Sequence, residues 1–259
     1  MLLVLISCNM DFERQGNTLV KYRGSKEDVI IPSGITFIGK EAFAETSITK
    51  VTIPEGVTSI GDKAFVDCKN LTSITIPSSV TSIGDQAFYG CTRLSGVTIP
   101  EGVTSIGGGA FLWCTNLTSI TIPSSVTSIG TGAFNSCKRL SSVTIPSGVK
   151  SIAISTFRDC GSLRIVTIPE GVTSIGDYAF LGCTSLTSIT IPSSVTSIGF
   201  SAFESCMSLT SITIPSSVTS VGTWAFARCQ NLKSATISRR SNISTMTVFP
   251  YTVRITYSD

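Results

Sequence analysis

Eight cysteines, Cys68 to Cys229, recur every 23 residues, and a ninth, Cys8, stands apart near the start of the chain. Three fates are open to such a ladder: disulfides between neighbours, a thiolate metal site, or burial as small hydrophobes. No two cysteines have CxxC spacing, and the chain contains no histidine, the commonest general base and metal ligand. The carboxylates best placed to act together are Glu55, Glu101 and Glu170, each in an Ile-Pro-Glu-Gly bend two or three periods apart. At about 4.8 Å per period, Glu55 and Glu101 would stand about 10 Å from each other, beyond the roughly 6.5–9.5 Å of an inverting glycosidase pair. Neither a phosphate-binding glycine loop nor a Ser/Cys–His arrangement is present. These observations lead to the expectation of a non-enzymatic protein with no catalytic residue, metal or cofactor.

What positions these residues is a strict internal period. Pro32 and Pro54 are 22 residues apart, and Pro77, Pro100, Pro123, Pro146, Pro169, Pro192 and Pro215 follow at steps of 23. Phenylalanines from Phe43 to Phe226 keep the same beat, with Phe249 as a last echo. Three residue types in phase over most of the chain identify a solenoid, in which each unit buries its apolar side only against its neighbours.

The unit reads Leu-x-Ser-Ile-Thr-Ile-Pro-x-x-Val-Thr-Ser-Ile-Gly-x-x-Ala-Phe-x-x-Cys-x-x. Leu71 to Ile76 alternates apolar and polar residues, the pattern of a strand with one buried face, and Pro77 ends it. A short extended piece carries Val80 and Ile83, and Gly84 permits a turn. Asp85 is placed to cap a single helical turn, since Ile83, Ala87, Cys91 and Leu94 are spaced 4, 4 and 3 apart as on a helix stripe. Nine or ten such rungs would make a rod roughly 45 Å long at the inter-strand spacing. A single rung could not offset roughly 1–2 kcal/mol of ordering entropy per residue, so rungs must stabilise one another.

Charge narrows the function classes. The net charge is +3, charged residues make up 14% of the chain, and no basic block occurs, which argues against nucleic-acid binding. Beyond the first residues, no stretch approaches the roughly 18 uninterrupted apolar residues of a membrane span. The start, MLLVLISCNM, is apolar up to Ser7, and Leu5-Ile6-Ser7-Cys8 resembles the lipobox of bacterial lipoproteins, whose cysteine is lipidated. No Lys or Arg precedes this short run, and a start codon further upstream would repair both departures. Cys8 is therefore the candidate lipidation site and the one route to membrane association.

The repeated phrase Ile-Pro-x-x-Val-Thr-Ser-Ile-Gly-x-x-Ala-Phe-x-x-Cys resembles the BspA-type leucine-rich repeat. The match runs from about Val29 to Ile237, although the ladder asparagine of ordinary leucine-rich repeats is replaced by Ser79, Gly102 and Ser125. The resemblance implies an α/β leucine-rich-repeat solenoid: a curved right-handed superhelix with a parallel sheet on its concave side and short helical or 3-10 turns on its convex side. The expected organisation is a signal-like segment at 1–8 and a cap at 9–28. Repeats of 22–23 residues, about nine of them, then fill 29–238, and a second cap covers 239–259. The resemblance further implies an exported surface protein, a cell-surface, outer-membrane or periplasmic lipoprotein, that binds host matrix or plasma proteins as an adhesin. An alternative is an envelope-assembly scaffold whose partners belong to the same cell. The oligomeric state is left open.

Two surfaces are candidates for partner contact. One is the outward column of the strand, Thr75, Thr98, Thr121, Thr144 and Thr167, with Ser73 and its equivalents beside it. Such hydroxyl arrays also occur on ice-binding solenoids, but solvated, β-branched threonine on an exposed sheet needs no such role. The irregular rung from Lys150 to Val166, in which Ala153 replaces the glycine and Thr156 the alanine, is either drift or a contact site with Arg158, Arg164 and Ile165 as members. The other candidate surface holds Tyr89, Leu112 and Trp113, large residues at variable positions that either contact a partner or fill a local groove.

Overall fold

In the computed structural model, residues 11–239 and 243–258 are described; Cys8 and the rest of the lipobox-like segment lie outside them. The chain winds as a solenoid of short parallel strands, one rung per repeat. Two parallel ladders run along it. The first, here the threonine ladder, contains Lys50–Thr52, Ser73–Thr75, Gly96–Thr98, Ser119–Thr121, Ser142–Thr144 and Ile165–Thr167. The second, the serine–isoleucine ladder, is built from pairs such as Ser59–Ile60, Ser82–Ile83 and Ser105–Ile106, each stacked in register on the next. Both ladders keep the 22–23-residue register, so identical positions lie above one another.

That register creates continuous columns in the core. Ten phenylalanines, from Phe43 to Phe249, stack with centroids 4.9–5.6 Å apart and planes within 12° of parallel. Offset stacking of this kind adds about 0.5–1.5 kcal/mol per pair to area burial. Beside it runs the cysteine column: Cys68 to Cys229 are free and buried. Each thiol donates a hydrogen bond of 3.0–3.3 Å to the phenylalanine carbonyl one rung earlier, as Cys91 Sγ does to Phe65 O. Burial pushes these thiols up, Cys68 to about 11 and Cys229 to about 12.

The segment from glycine to cysteine is not helical, which corrects the expectation of helical turns. In the Gly84–Cys91 rung, Ala87, Tyr89 and Cys91 donate back three residues to Gly84, Gln86 and Phe88. The intervening amides of Gln86, Phe88 and Gly90 donate forward to Gly108, Ala110 and Leu112 of the next rung at 2.7–2.9 Å. A helix would consume all of these donors internally; here every second one builds the stack. The alternation requires left-handed backbone at two places per rung, at Gln86 with φ 54° and Gly90 with φ 70° in this one. Asp85 is no helix cap either. Its Oδ1 accepts the Gly108 amide at 2.7 Å, and Asp62 and Asp177 accept the amides of Asp85 and Phe200 in the same manner.

Both ends of the stack are covered. An antiparallel hairpin, Phe12–Gln15 with Thr18–Tyr22, places Leu19 and Tyr22 against the first rung, and Tyr22 stacks on Phe43 at 5.2 Å. At the other end, a four-residue helix, Thr245–Val248, precedes Phe249, and Arg254–Ser258 pairs in parallel with Ser234–Ser238. Among the described residues no helix is long and apolar enough to cross a membrane.

Candidate interaction surfaces

The residues singled out from the sequence fall on two separate surfaces rather than one. Ser73, Thr75, Thr98, Thr121, Thr144, Ile165 and Thr167 belong to the threonine ladder, and Arg164 immediately precedes its Ile165–Thr167 strand. Tyr89, Leu112 and Trp113 belong to the turn side of their rungs.

Two hydroxyl columns look alike in sequence and differ in structure. Thr81, Thr104, Thr127, Thr173, Thr196 and Thr219 each donate from Oγ1 to the carbonyl one rung back, at 3.1–3.3 Å. Their hydroxyls are spent on the scaffold. In contrast, Thr75, Thr98, Thr121, Thr144 and Thr167 are exposed, and their hydroxyls make no hydrogen bond among the described residues. Each offers a donor and an acceptor to whatever lies against the sheet. The columns Thr75 to Thr167 and Ser73 to Ser142 thus form a field of uncommitted polar groups, about 4.8 Å apart where the strands pair. Ile165 is 62% exposed and breaks this field with an apolar side chain; Arg164 adds an exposed cation next to it.

The threonine ladder is not uniform. The amides of Ile53, Ile99 and Ile145 donate to the next strand at Thr75, Thr121 and Thr167, but no such bond joins Ile76 to Thr98. The gap exposes a cleft of about 450 Å³ around Gly96, lined by Thr75, Thr98, Ser119 and Thr121 with Ile76 and Val97 beneath. Serine clasps link some neighbouring rungs beside the ladder. Ser79 Oγ accepts the Gly56 amide at 3.0 Å and donates to Val57 O at 2.7 Å. Ser125 and Ser194 do the same for Gly102 and Gly171. The clasps at Ser79 and Ser125 join the paired strands Lys50–Thr52 with Ser73–Thr75 and Gly96–Thr98 with Ser119–Thr121, and the sheet opens after each; Ser142–Thr144 pairs with Ile165–Thr167 without such a clasp, and the Ser194 clasp spans rungs whose strands are not paired.

The same clasps account for the recurring carboxylates. Glu55, Glu101 and Glu170 each accept from the first serine of the following rung, Ser78, Ser124 and Ser193. Glu170 also accepts the amides of Ser193 and Ser194 at 3.2 and 3.3 Å, and these bonds, chiefly the Ser193 amide, hold its carboxyl below its ordinary value. They act as bend fasteners between rungs.

On the turn side, Trp113 is 54% exposed while Tyr89 and Leu112 are half-buried. A second group gathers around Arg158, the one member of it that the sequence singled out. Arg158 lies 5.8 Å over the Tyr178 ring, Tyr178 meets Phe200 edge-on at 5.3 Å, and Phe200 meets Trp224 at 5.4 Å. The signal for it was available: Tyr178 and Trp224 occupy the position that is Gly109 and Gly132 in other rungs, where nothing in the core requires a ring.

A family profile described as the BspA type leucine rich repeat region matches residues 36–164 and 150–258, in six copies. A leucine rich repeat protein of T. pallidum is similar in structure, with 31% identity and a TM-score of 0.62 over 65% of this chain and 82% of that one. The pneumococcal vaccine antigen PcpA shares the fold at 19% identity, with a TM-score of 0.58 over 90% of this chain and 74% of its own. A leucine rich cell surface protein from Faecalibacterium prausnitzii is 29% identical over 93% of this chain and 90% of that chain, with a TM-score of 0.46. No curated protein matches the sequence.

Proposed function

The chain belongs to the BspA-type leucine-rich repeat family, and from that premise we propose that it is a non-enzymatic binding module, exported to the cell surface, that docks extracellular proteins on its threonine ladder. The observation that carries this reading is the contrast between the two hydroxyl columns. One is consumed by the scaffold, while the other faces outward with its hydrogen-bonding capacity intact. A solenoid presents such a field over several rungs at once, which suits recognition of an extended protein surface. Polar groups at regular intervals recognise by hydrogen bonding and shape, with the Gly96 cleft and Ile165 as irregularities that give register. The family resemblance supplies the class of partner, matrix or plasma proteins of a host. Export through the Cys8 lipobox is the second part of the proposal and rests on the sequence Leu5-Ile6-Ser7-Cys8.

Binding of the purified chain to a panel of immobilised matrix and plasma proteins, read by surface plasmon resonance, tests the first part. Saturable binding to at least one supports it. Absence of binding to all, with capture of envelope proteins from the producing cell, overturns it in favour of an assembly scaffold. For the second part, labelling with a radioactive fatty acid should mark the parent chain and fail in Cys8→Ala; an unlabelled parent removes the anchor.

A further inference from the structure

A lengthwise groove of about 490 Å³ runs along the turn side, with Trp113 at its N-terminal end and Ser136, Gly161 and Gly182 as its floor. Its remaining polar side chains include Thr115, Lys138 and Asp159. The volume falls in the range of small-ligand sites, about 300–1,000 Å³. Four rungs contribute, so its length is roughly 14 Å at the spacing of neighbouring strands.

Trp113 sits where the backbone least favours it. Its φ is 65°, as the alternating turns demand of that position in every rung, and the equivalents include Gly90, Ser136, Asp159 and Gly182. A bulky residue in the left-handed region is an outlier that glycine would relieve. The core gains nothing from the indole, which is 54% exposed and stacks on no other ring among the described residues. The strain is therefore spent on presenting a flat apolar face to the groove.

The rest of the groove selects among ligands. Most amides along the groove are already used: Trp113 donates to Asn135, Ser136 to Arg158, Asp159 to Leu181 and Gly182 to Glu204, at 2.7–3.0 Å, and among the described residues only the Lys138 and Gly161 amides of the lining make no such bond. Two such isolated amides are no strand edge for an extended peptide, and the described lining of the groove offers no row of apolar pockets for its side chains. Recognition has to come from an aromatic platform and from side chains that both donate and accept. The Asp159 carboxylate is poised over Gly182, where a Cβ would come within 2.5 Å of Oδ1, while Oδ2 is held by Arg158 Nε at 3.3 Å. Lys138 and Thr115 provide donors nearby. An apolar ring face beside hydroxyls is the surface of a pyranose, and a lining with one carboxylate, Asp159, and one ammonium, Lys138, suits an uncharged one. We propose that this groove binds a neutral oligosaccharide, one ring stacked on Trp113 and hydroxyls bonded to Asp159 and Lys138, independently of the protein-binding face.

The chain has two tryptophans, so in Trp224→Phe the emission of Trp113 alone reports. Titrating this full-length variant with cellohexaose, laminarihexaose, mannohexaose and chitohexaose should give a saturable change with at least one, and none with an oligogalacturonate. By calorimetry, Trp113→Gly, which suits the backbone and should melt no lower than the parent, should weaken that binding about tenfold or more. Lys138→Ala should weaken it less. No saturable response to any neutral hexaose, binding undiminished in a folded Trp113→Gly, or binding confined to the acidic oligomer would each overturn the proposal.

Discussion

The amide of Ala153 does not reach the carbonyl of Ile129, although glycine at the same place in eight other rungs makes that bond at 2.8–2.9 Å. The serine–isoleucine ladder is interrupted there, between Ser128–Ile129 and Ser151–Ile152. A β-carbon explains it. Built on Gly130, one would come within 2.4 Å of the Gly108 amide nitrogen, and on Gly107 within 2.5 Å of Asp85. At Ala153 the β-carbon is present, and the rung has moved away from its predecessor.

Ala153→Gly should close the ladder. The regained hydrogen bond contributes about 0.5–1.5 kcal/mol, offset in part by the extra freedom of glycine in the unfolded chain. Melting temperature should rise slightly, while hydrogen-exchange protection at Ser151 to Ala153 should rise clearly. The converse change, Gly130→Ala, should cost about 1–3 kcal/mol by overpacking. Equal protection of these amides in the parent and in Ala153→Gly would contradict the explanation.

The cysteine column predicts sensitivity to alkali. Thiols ionise near their ordinary value of 9.0 when unfolded, whereas burial holds Cys68 at about 11 and Cys229 at about 12. Above pH 9 the unfolded state therefore binds fewer protons than the folded one, and stability falls as pH rises. Each fully ionised thiol contributes about 1.4 kcal/mol per pH unit to that fall. Urea titrations between pH 7 and 10.5 should show a steep loss, shallower when Cys114, Cys137 and Cys160 are replaced by alanine. In the Cys8→Ser background, a thiol reagent at pH 8 should leave the eight buried cysteines unmodified until denaturant is added.

Glu170 predicts the opposite pH effect, smaller and in acid. Its carboxyl is held below its usual 4.5 by the Ser193 amide first, together with the Ser193 hydroxyl and the Ser194 amide. A depressed value stabilises the fold above pH 4.5, and the contribution is lost as pH falls through the folded value. Glu170→Gln should thus melt below the parent at pH 6, with the difference shrinking as pH falls below 4.5. A difference that does not change with pH across the acid range would mean the clasp acts by shape rather than charge.

Much of this could be read in the sequence. Pro77, Phe88 and Cys91 and their equivalents define the rung, and the alternation of Leu71 to Ile76 gives its strand and buried face. The turn side misleads because Ile83, Ala87, Cys91 and Leu94 carry helical spacing while the backbone alternates its hydrogen bonds between turn and neighbour. Bonds made between residues 23 apart, as from Gly108 to Asp85, leave no local pattern. The left-handed positions were signalled by Gly90 and Gly182 and by Gly109 and Gly132, but Trp113 and Trp224 at the same columns obscure them. Nor could spacing distinguish the Thr75 hydroxyl from that of Thr81; only the direction of each side chain does so.

The threonine ladder as the docking face is the centre of the account, and placing charge on it tests it directly. For the matrix or plasma protein found to bind, affinity should be measured by surface plasmon resonance for Thr98→Glu/Thr144→Glu and for Thr131→Glu on the turn side. All three positions are exposed, so the melting temperatures should match the parent. The account predicts that the double variant loses binding tenfold or more while Thr131→Glu binds as the parent does. Retained affinity in the double variant, or an equal loss in Thr131→Glu, would contradict it.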